Sequence, residues 1–530
     1  MKVSHIPFEN TGFFSKIISD YLDQKESLQQ FYQNSPDFKG FTRQIQDKKE
    51  SYPTRSRKIL VDVLKEQYHS VDTSEATLEN IKSLEDQNTF TITTGHQLNL
   101  FTGPLYFLYK IISTINLSET LSEKFPEQHF VPVYWMASED HDFDEINYFN
   151  FKGEKVMWNH PHGGGVGRFS LEGLQDVFTS FSTLLGNSKN ASYLKQLFEK
   201  AYLDHKTLSE ATRYIANELF KEYGLIIIDP DHQRLKDVFA PIMKDEILNQ
   251  TSFKVVSKTI TSLQKEYKIQ VTPREINLFY LTDNSRNRIV QGEDQYHIHD
   301  SNIIFSKAEI LDELENHSER FSPNVIMRPL YQEVILPNLC YVGGGGELAY
   351  WFELKSYFDT LQIPFPILLL RNSVQIVSKK QSKKLDNLKI SFEEIFLKQH
   401  QLIAKKVQDN STIKFSFKNA KELLNQQFLA LRNIANETDI SFVGAVDAQQ
   451  RKQIKGLENL EKRLLRAEKR KQADFVTRIA TLQNQLLPNQ GLEERQMNFS
   501  EYYLVYGQDL MIALKKSLNP LQSAFTILEI

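Results

Sequence analysis

The chain has 530 residues, with 63 Lys and Arg against 67 Asp and Glu, and a single cysteine, Cys340. Hydrophobic residues make up 40% of it, including 36 Phe and 22 Tyr, which excludes disorder as the main state and predicts a large core. A net charge of −4 argues against a nucleic-acid partner held through global charge, and one cysteine excludes a disulfide framework or a Cys-rich zinc site.

The first ten residues carry no apolar segment of the signal-peptide type. No run reaches the ~18 apolar residues needed to span a bilayer. The expectation is a cytoplasmic protein with no membrane partner, and scarce cysteine fits a reducing compartment.

Residues 1–85 read as helices, because Phe13, Phe14, Ile17, Ile18, Tyr21 and Leu22 fall on one helical face. Residues 89–93 are β-branched and read as a strand. Residues 95–103 follow as a loop, and Pro104 suits the first turn of a helix through Leu105, Leu108, Ile111, Ile112 and Ile115. The unit recurs. Residues 129–136 are an apolar run ending in the polar stretch 138–142, and 225–228 end in 229–232. Residues 334–336 lead through Leu339 to Val342, then to four glycines at 343–346 and a helix from Glu347 to Phe358. Residues 365–370 form a further buried strand. Such alternation predicts an α/β core over 1–375, with a mostly parallel sheet buried on both faces. Residues 151–175 and 250–310 are less regular and read as insertions on that core.

From 376 the composition shifts to Lys, Glu, Gln and Leu with almost no Gly or Pro. Leu424, Gln427, Leu431 and Ile434 are spaced by 3 and 4, as are Leu457, Leu460, Leu464 and Ala467. Residues 376–485 are therefore expected as an inserted antiparallel α-helical coiled-coil hairpin, broken near 439–444. Residues 486–530 are expected as a helical tail that packs back on the core.

In open α/β sheets, ligands sit beyond the carboxyl ends of the strands, and here those ends carry polar clusters. Gly95, His96 and Gln97 open a predicted helix, where free N–H groups suit an anion and His96 can donate to developing negative charge. A tight turn is the plainer alternative. The run 139–145 holds five carboxylates and one imidazole. Glu139, Asp140, His141 and Asp142 can act as general base, pair with an amine or bind a divalent metal; a solvated helix start is the alternative. Arg328 suits bidentate recognition of carboxylate or phosphate, or a structural salt bridge. Gly343 and Gly344, ahead of Glu347 and Tyr350, let backbone approach a ligand closely. There is no G-x-G-x-x-G and no Walker A.

Cys340 lies in an apolar stretch and reads as inert packing. His160 and His162 flank Pro161 as a metal pair or, more simply, a polar loop; no metal site is assigned. Residues 451–471 carry nine basic and three acidic residues, a solvated helix face or a docking face for phosphate.

Several of these blocks look familiar together. Residues 94–97 with 100–106, 131–135 with 139–145, Gly343-Gly344 with 347–351, and the basic stretch 465–471 make the chain resemble the bacillithiol biosynthesis cysteine-adding enzyme family over nearly its whole length. The resemblance implies a Rossmann-like core with connecting insertions and a coiled coil that pairs two subunits into a homodimer. It implies a ligase that joins cysteine through an amide to the amine of glucosaminyl-malate, the last step of the pathway. In that reading Glu139, Asp140, His141 and Asp142 bind and deprotonate the ammonium. Arg328 holds the malate carboxylates, and the Gly95 and Gly343 loops accept a phosphate or adenylate; His96, Gln97, Gly344, Glu347 and Tyr350 complete the substrate contacts. The family commonly carries Gln where this chain has His96, which shifts weight from that imidazole to Gln97 and the backbone. The cofactor is not readable from the residues, and ATP or another nucleotide is the chemical expectation. The competing readings are a nucleotidyl- or adenylyl-transferring enzyme on the same core and a non-enzymatic coiled-coil scaffold.

Overall fold

The computed structural model describes residues 1–159 and 163–530. His160 and His162, the histidine pair considered as metal ligands, lie outside the described residues. The chain forms two compact units, one of residues 3–375 with 494–528 and one of residues 376–493.

The first unit is organised by a five-stranded parallel sheet. Its strands are β1 (Thr89–His96), β2 (His129–Met136), β3 (Ile226–Ile228), β4 (Asn338–Gly343) and β5 (Ile367–Leu370). Their spatial order is 5-4-1-2-3, with each neighbouring pair parallel. All eight residues of β1 are buried, as expected for a strand covered on both faces. Pro132 lies within β2, but β3 pairs only with Val133–Trp135. The proline thus falls outside the paired stretch on that side, where a missing N–H is tolerated.

Helix α1 (Tyr106–Lys124) returns the chain from β1 to β2. It buries Phe107, Leu108, Ile111, Ile112, Ile115 and Leu117 around most of its circumference, the signature of a helix between sheet and further layers. A core cluster of Phe90, Ile92, Leu121, Phe130, Leu339 and Ile367 joins this helix to the sheet. The strand order reverses between β1 and β4, so the carboxyl ends of those two strands form the crevice where doubly wound sheets bind ligands.

Between β2 and β3 the chain makes a two-stranded hairpin, Tyr148–Phe151 with Glu154–Met157, and then three helices, Leu174–Leu185, Lys189–Leu203 and Leu208–Phe220. Between β3 and β4 lie helix α2 (Gln233–Asn249), helix Thr251–Leu263, a five-stranded antiparallel sheet and helix α3 (Arg328–Ile335). Helix α4 (Gly345–Trp351) follows β4.

Several local expectations need correction. The first 85 residues are not all helical, since Lys2–Ile6 is a strand and Phe13 and Phe14 precede helix Lys16–Leu22. Thr94, Gly95 and His96 are the end of β1 rather than a loop, because the β2 register continues to His96 opposite Met136. The helix after them starts at Tyr106. Val334 and Ile335 belong to α3, which Pro329 initiates; a three-residue apolar run is as compatible with a helix face as with a strand. The helix expected from Glu347 to Phe358 is two helices, Gly345–Trp351 and Lys355–Thr360. The tail holds helices Phe499–Tyr506 and Gln508–Ser517 but ends in a strand, Phe525–Glu529.

The second unit begins with helices Lys379–Leu388 and Gln399–Asp409, so the hairpin is shorter than its composition suggests. It consists of α5 (Lys418–Asn436) and α6 (Ile440–Lys471), followed by α7 (Ala473–Leu486). Asp439 caps α6 through its carboxylate, which accepts from the Ser441 and Phe442 amides. The break therefore precedes Gly444, which lies inside α6. The seam is built by Phe428, Ala435 and Val446 with Leu424 and Val443. Leu431 and Ile434, expected in that seam, are 47% and 58% exposed.

Candidate active site

A cavity of about 750 Å³ opens at the carboxyl ends of β1, β2 and β4. Gly95, His96, Gln97, Glu139, Asp140, His141, Asp142, Arg328, Gly344, Glu347 and Tyr350 all line it. Gly343 does not; it ends β4, and its carbonyl accepts from the Arg371 amide at 2.9 Å. The two ends of the cavity carry different chemistry.

One end is cationic. Lys110, on the inner face of α1, donates to the Gly95 carbonyl at 2.6 Å and pairs with Glu347 at 2.6 Å. Glu347 also accepts from the Gly344 amide and the Tyr341 hydroxyl, both at 2.8 Å. Burial alone would raise the Glu347 carboxyl, but Lys110 and these donors outweigh it and hold it below the usual range. Glu347 thus ties the end of β1 to the end of β4, and its oxygens are engaged within the protein. In the Gly344 loop, expected to accept a phosphate, the Gly344 amide is taken by Glu347, and α4 behind it is seven residues long.

Arg328 stands at the start of α3 against Gly95. It donates to the Gln332 side chain at 3.1 Å and the Tyr350 hydroxyl at 3.4 Å, and lies 5.6 Å from the Tyr341 ring centroid. Among the described residues it has no carboxylate partner within 4 Å. An arginine placed this way has charge and donors to spare for an anion.

His96 does not fit the role of a proton donor. It is 6% exposed and packs against the Tyr106 and Phe107 rings at 5.5 and 5.0 Å. Its Nε2 faces the Thr102 carbonyl at 3.3 Å. Burial, reinforced by Lys110, pushes its pKa down to about 3, so the ring is neutral and its N–H is spent on backbone.

The other end is acidic, and its carboxylates differ. Glu139 is buried and paired with Lys236 of α2, which also meets Asp231 at 3.3 Å. Asp231 in turn accepts from Arg168 at 2.6 Å. Burial raises the Glu139 carboxyl and Lys236 opposes that. Glu139 therefore has its cation inside the protein, which removes it from the group able to greet a substrate amine.

Asp140 is half-buried and accepts from Gln97 Nε2 at 2.9 Å; the same amide donates to Glu145 at 3.0 Å. His141 and Asp142 are exposed to the cavity. Arg286 donates to His141 Nδ1 at 2.9 Å, which places the ring hydrogen on Nε2. Arg286 is itself fixed by the Ser322 hydroxyl and the Pro323 carbonyl, both at 3.0 Å, and stacks over Phe279. Among the described residues, no three His, Cys, Asp or Glu side chains are arranged to hold a metal ion.

The residues that sequence reasoning passed over are Lys110, Lys236, Arg286 and Arg371. Lys110 leaves a trace, a lone charge between Tyr109 and Ile111 on an apolar helix; Lys236, between Leu235 and Asp237, leaves none. Arg286 and Arg371 leave none. Cys340 is fully buried within β4, and burial pushes its thiol well up, the state of an inert packing residue.

The comparisons agree with this architecture. The family description "Bacillithiol biosynthesis BshC, N-terminal Rossmann-like domain" matches residues 1–372, and "Bacillithiol biosynthesis BshC, C-terminal coiled-coil domain" matches residues 374–530. A relative from Flavobacterium johnsoniae, named "Putative cysteine ligase BshC", is 54% identical over 530 residues and covers 100% of both chains. One of the same name from Cytophaga hutchinsonii is 38% identical, covering 98% of this chain and 97% of its own. Another from Bacillus cereus is 27% identical, covering 96% of each. With a Rossmann-like parallel sheet, a coiled-coil unit and relatives matched end to end, the chain belongs to the BshC family of bacillithiol biosynthesis.

Proposed function

We propose that this protein is a ligase that forms a carbon–nitrogen bond, adding cysteine through an amide to the amine of glucosaminyl-malate in the last step of bacillithiol assembly. The observation that carries the reading is the distribution of charge in one cavity, with Lys110, Arg328 and Arg371 by the ends of β1, β4 and β5 and the carboxylates of Asp140 and Asp142, with Arg286 near them, beyond β2. Such a cavity suits a substrate with carboxylates at one end and an amine at the other. An amine attacks only when neutral, so a group must hold and then accept its proton. Asp140, oriented by Gln97, is the carboxylate placed for that task, with Asp142 beside it. The cysteine carboxyl must arrive activated, as an acyl phosphate or acyl adenylate, whose phosphate or nucleotide leaves with its C–O bond as the C–N bond forms; His141, its hydrogen on Nε2, can donate to the carbonyl oxygen as negative charge develops there. Arg328 holds a carboxylate of the acceptor. The one cysteine of the chain is unpaired, and among the described residues no helix is long and apolar enough to cross a membrane; work in the cytoplasm is part of the proposal.

Metabolite analysis of a deletion strain tests the reading. Loss of the final thiol with accumulation of glucosaminyl-malate is the expected outcome. An unchanged thiol pool contradicts it and favours an adenylyl-transferring enzyme or a scaffold.

The second unit has its own proposed task, pairing two copies. Leu429, Leu431, Ile434 and Ile440 are exposed by 61%, 47%, 58% and 91% along and beyond α5, more apolar surface than a solitary hairpin needs to leave open. A full-length Leu431→Glu, Ile434→Glu variant is expected to sediment as a monomer where the parent sediments as a dimer. A variant that stays dimeric places the interface elsewhere.

A further inference from the structure

The cationic end of the cavity contains a second guanidinium, that of Arg371, which follows β5 directly. Its side chain is 3% exposed and lines the cavity. One of its terminal nitrogens donates to the Asn372 carbonyl at 2.9 Å and to Ser373 at 3.2 Å, and the other donates to Glu494 at 2.8 Å. Glu494 is anchored in turn by the Val374 amide at 3.0 Å. These contacts fix the plane of the guanidinium and leave Nε unused: it is buried and has no hydrogen-bond partner among the described residues.

A buried donor without a partner is unfavourable, so a ligand atom that satisfies it gains what the free protein lacks. The glycines of the two strand ends make room for such a ligand. A methyl group at Gly344 would stand 3.8 Å from Arg371 Nε, and one at Gly95 would stand 3.8 Å from an Arg328 terminal nitrogen. Each guanidinium thus looks across a glycine into the cavity. Lys110, another cation there, is spent on Glu347 and the Gly95 carbonyl.

We propose that Arg371 and Arg328 form a two-guanidinium receptor for an oxyanion end of the substrate, and that Arg371 Nε reads the second carboxylate of a dicarboxylate. This rests on the reading of the cavity as a two-ended substrate site. Carboxylate and phosphate share the recognising chemistry; carboxylate is the assignment because the backbone amide at Gly344, which a phosphate would use, is already occupied.

The test uses calorimetric titration of the full-length protein with free L-malate and, separately, inorganic phosphate. Arg371→Lys keeps the charge and the Glu494 partner but loses the planar fork. Gly344→Ala has an ordinary backbone conformation, φ −77°, and sets a methyl in van der Waals contact with Nε at 3.8 Å while leaving both arginines in the chain. Both are expected to melt near the parent temperature and to weaken malate binding by about tenfold or more. Malate affinity unchanged in both variants, or undetectable malate binding to the parent, overturns the proposal. Phosphate binding tighter than malate, with the same dependence on Arg371, overturns the carboxylate assignment. Malate binding that depends on Arg371 in a protein that forms no amide overturns the ligase reading and leaves the receptor standing.

Discussion

Asp140→Asn and His141→Ala each lower product formation by about 10²–10⁴-fold, the usual contribution of a positioned acid or base, while the thermal melt stays close to that of the parent protein. The reason lies in where the two residues sit. They follow β2 rather than belong to it, Asp140 is only half-buried and His141 is exposed, so neither supports the core. Asp140 is held by Gln97 at 2.9 Å, and asparagine keeps that size while removing the charge and the basic oxygen. If Asp140 serves chiefly as the proton acceptor, turnover falls; if it binds the substrate ammonium, apparent affinity falls instead. Cys340→Ser is the control. Its thiol is buried and does not line the cavity, so turnover stays near the parent value with modest loss of stability. Steady-state kinetics on the three purified variants check this, and an essential Cys340 with dispensable Asp140 and His141 would reject the assignment.

Lys236→Met destabilises the fold by about 3–5 kcal/mol, the range for removing one partner of a buried ion pair. Lys236 is 1% exposed and faces Glu139 and Asp231, which are 11% and 7% exposed. Asp231 retains Arg168, but Glu139 is left as an uncompensated buried charge. Its folded-state carboxyl is already raised by burial, and loss of Lys236 raises it further. Protonation then relieves the penalty, so the deficit is smaller in acid and grows as pH rises through the folded pKa. Lys236→Met with Glu139→Gln removes both charges and is expected to recover most of the loss. Denaturant unfolding of the single and double variants at two pH values reads both effects; a single variant as stable as the parent would mean that Glu139 is not held by this pair.

The outline of the fold was legible because its determinants are local. Continuous apolar strands such as 129–136, alternating with helices, specify a parallel sheet covered on both faces, and polar clusters at their carboxyl ends locate the crevice. What each polar residue does there was not legible, because its partner comes from far along the chain. Arg286, which fixes the His141 tautomer, is 145 residues away, and Glu494, which orients Arg371, is 123 away. Glu139 and Asp140 look alike in sequence, yet one is neutralised by Lys236 and the other faces the cavity. His96 reads as a reactive imidazole until the Tyr106 and Phe107 rings close around it. The hairpin shows a related limit. Spacing by 3 and 4 identifies an apolar stripe, but Phe428 and Ala435 fill the seam while Leu431 and Ile434 face outward, since two stripes on one helix share the same period.

In the proposed complex one cavity binds the acceptor with its amine towards Asp140 and its carboxylates towards Arg328 and Arg371. A crystal structure of the full-length protein with glucosaminyl-malate tests it most directly. The expected result is the amine nitrogen within about 3 Å of the Asp140 carboxylate and malate oxygens within about 3 Å of both guanidinium groups. The reverse orientation, or binding outside this cavity, would contradict it.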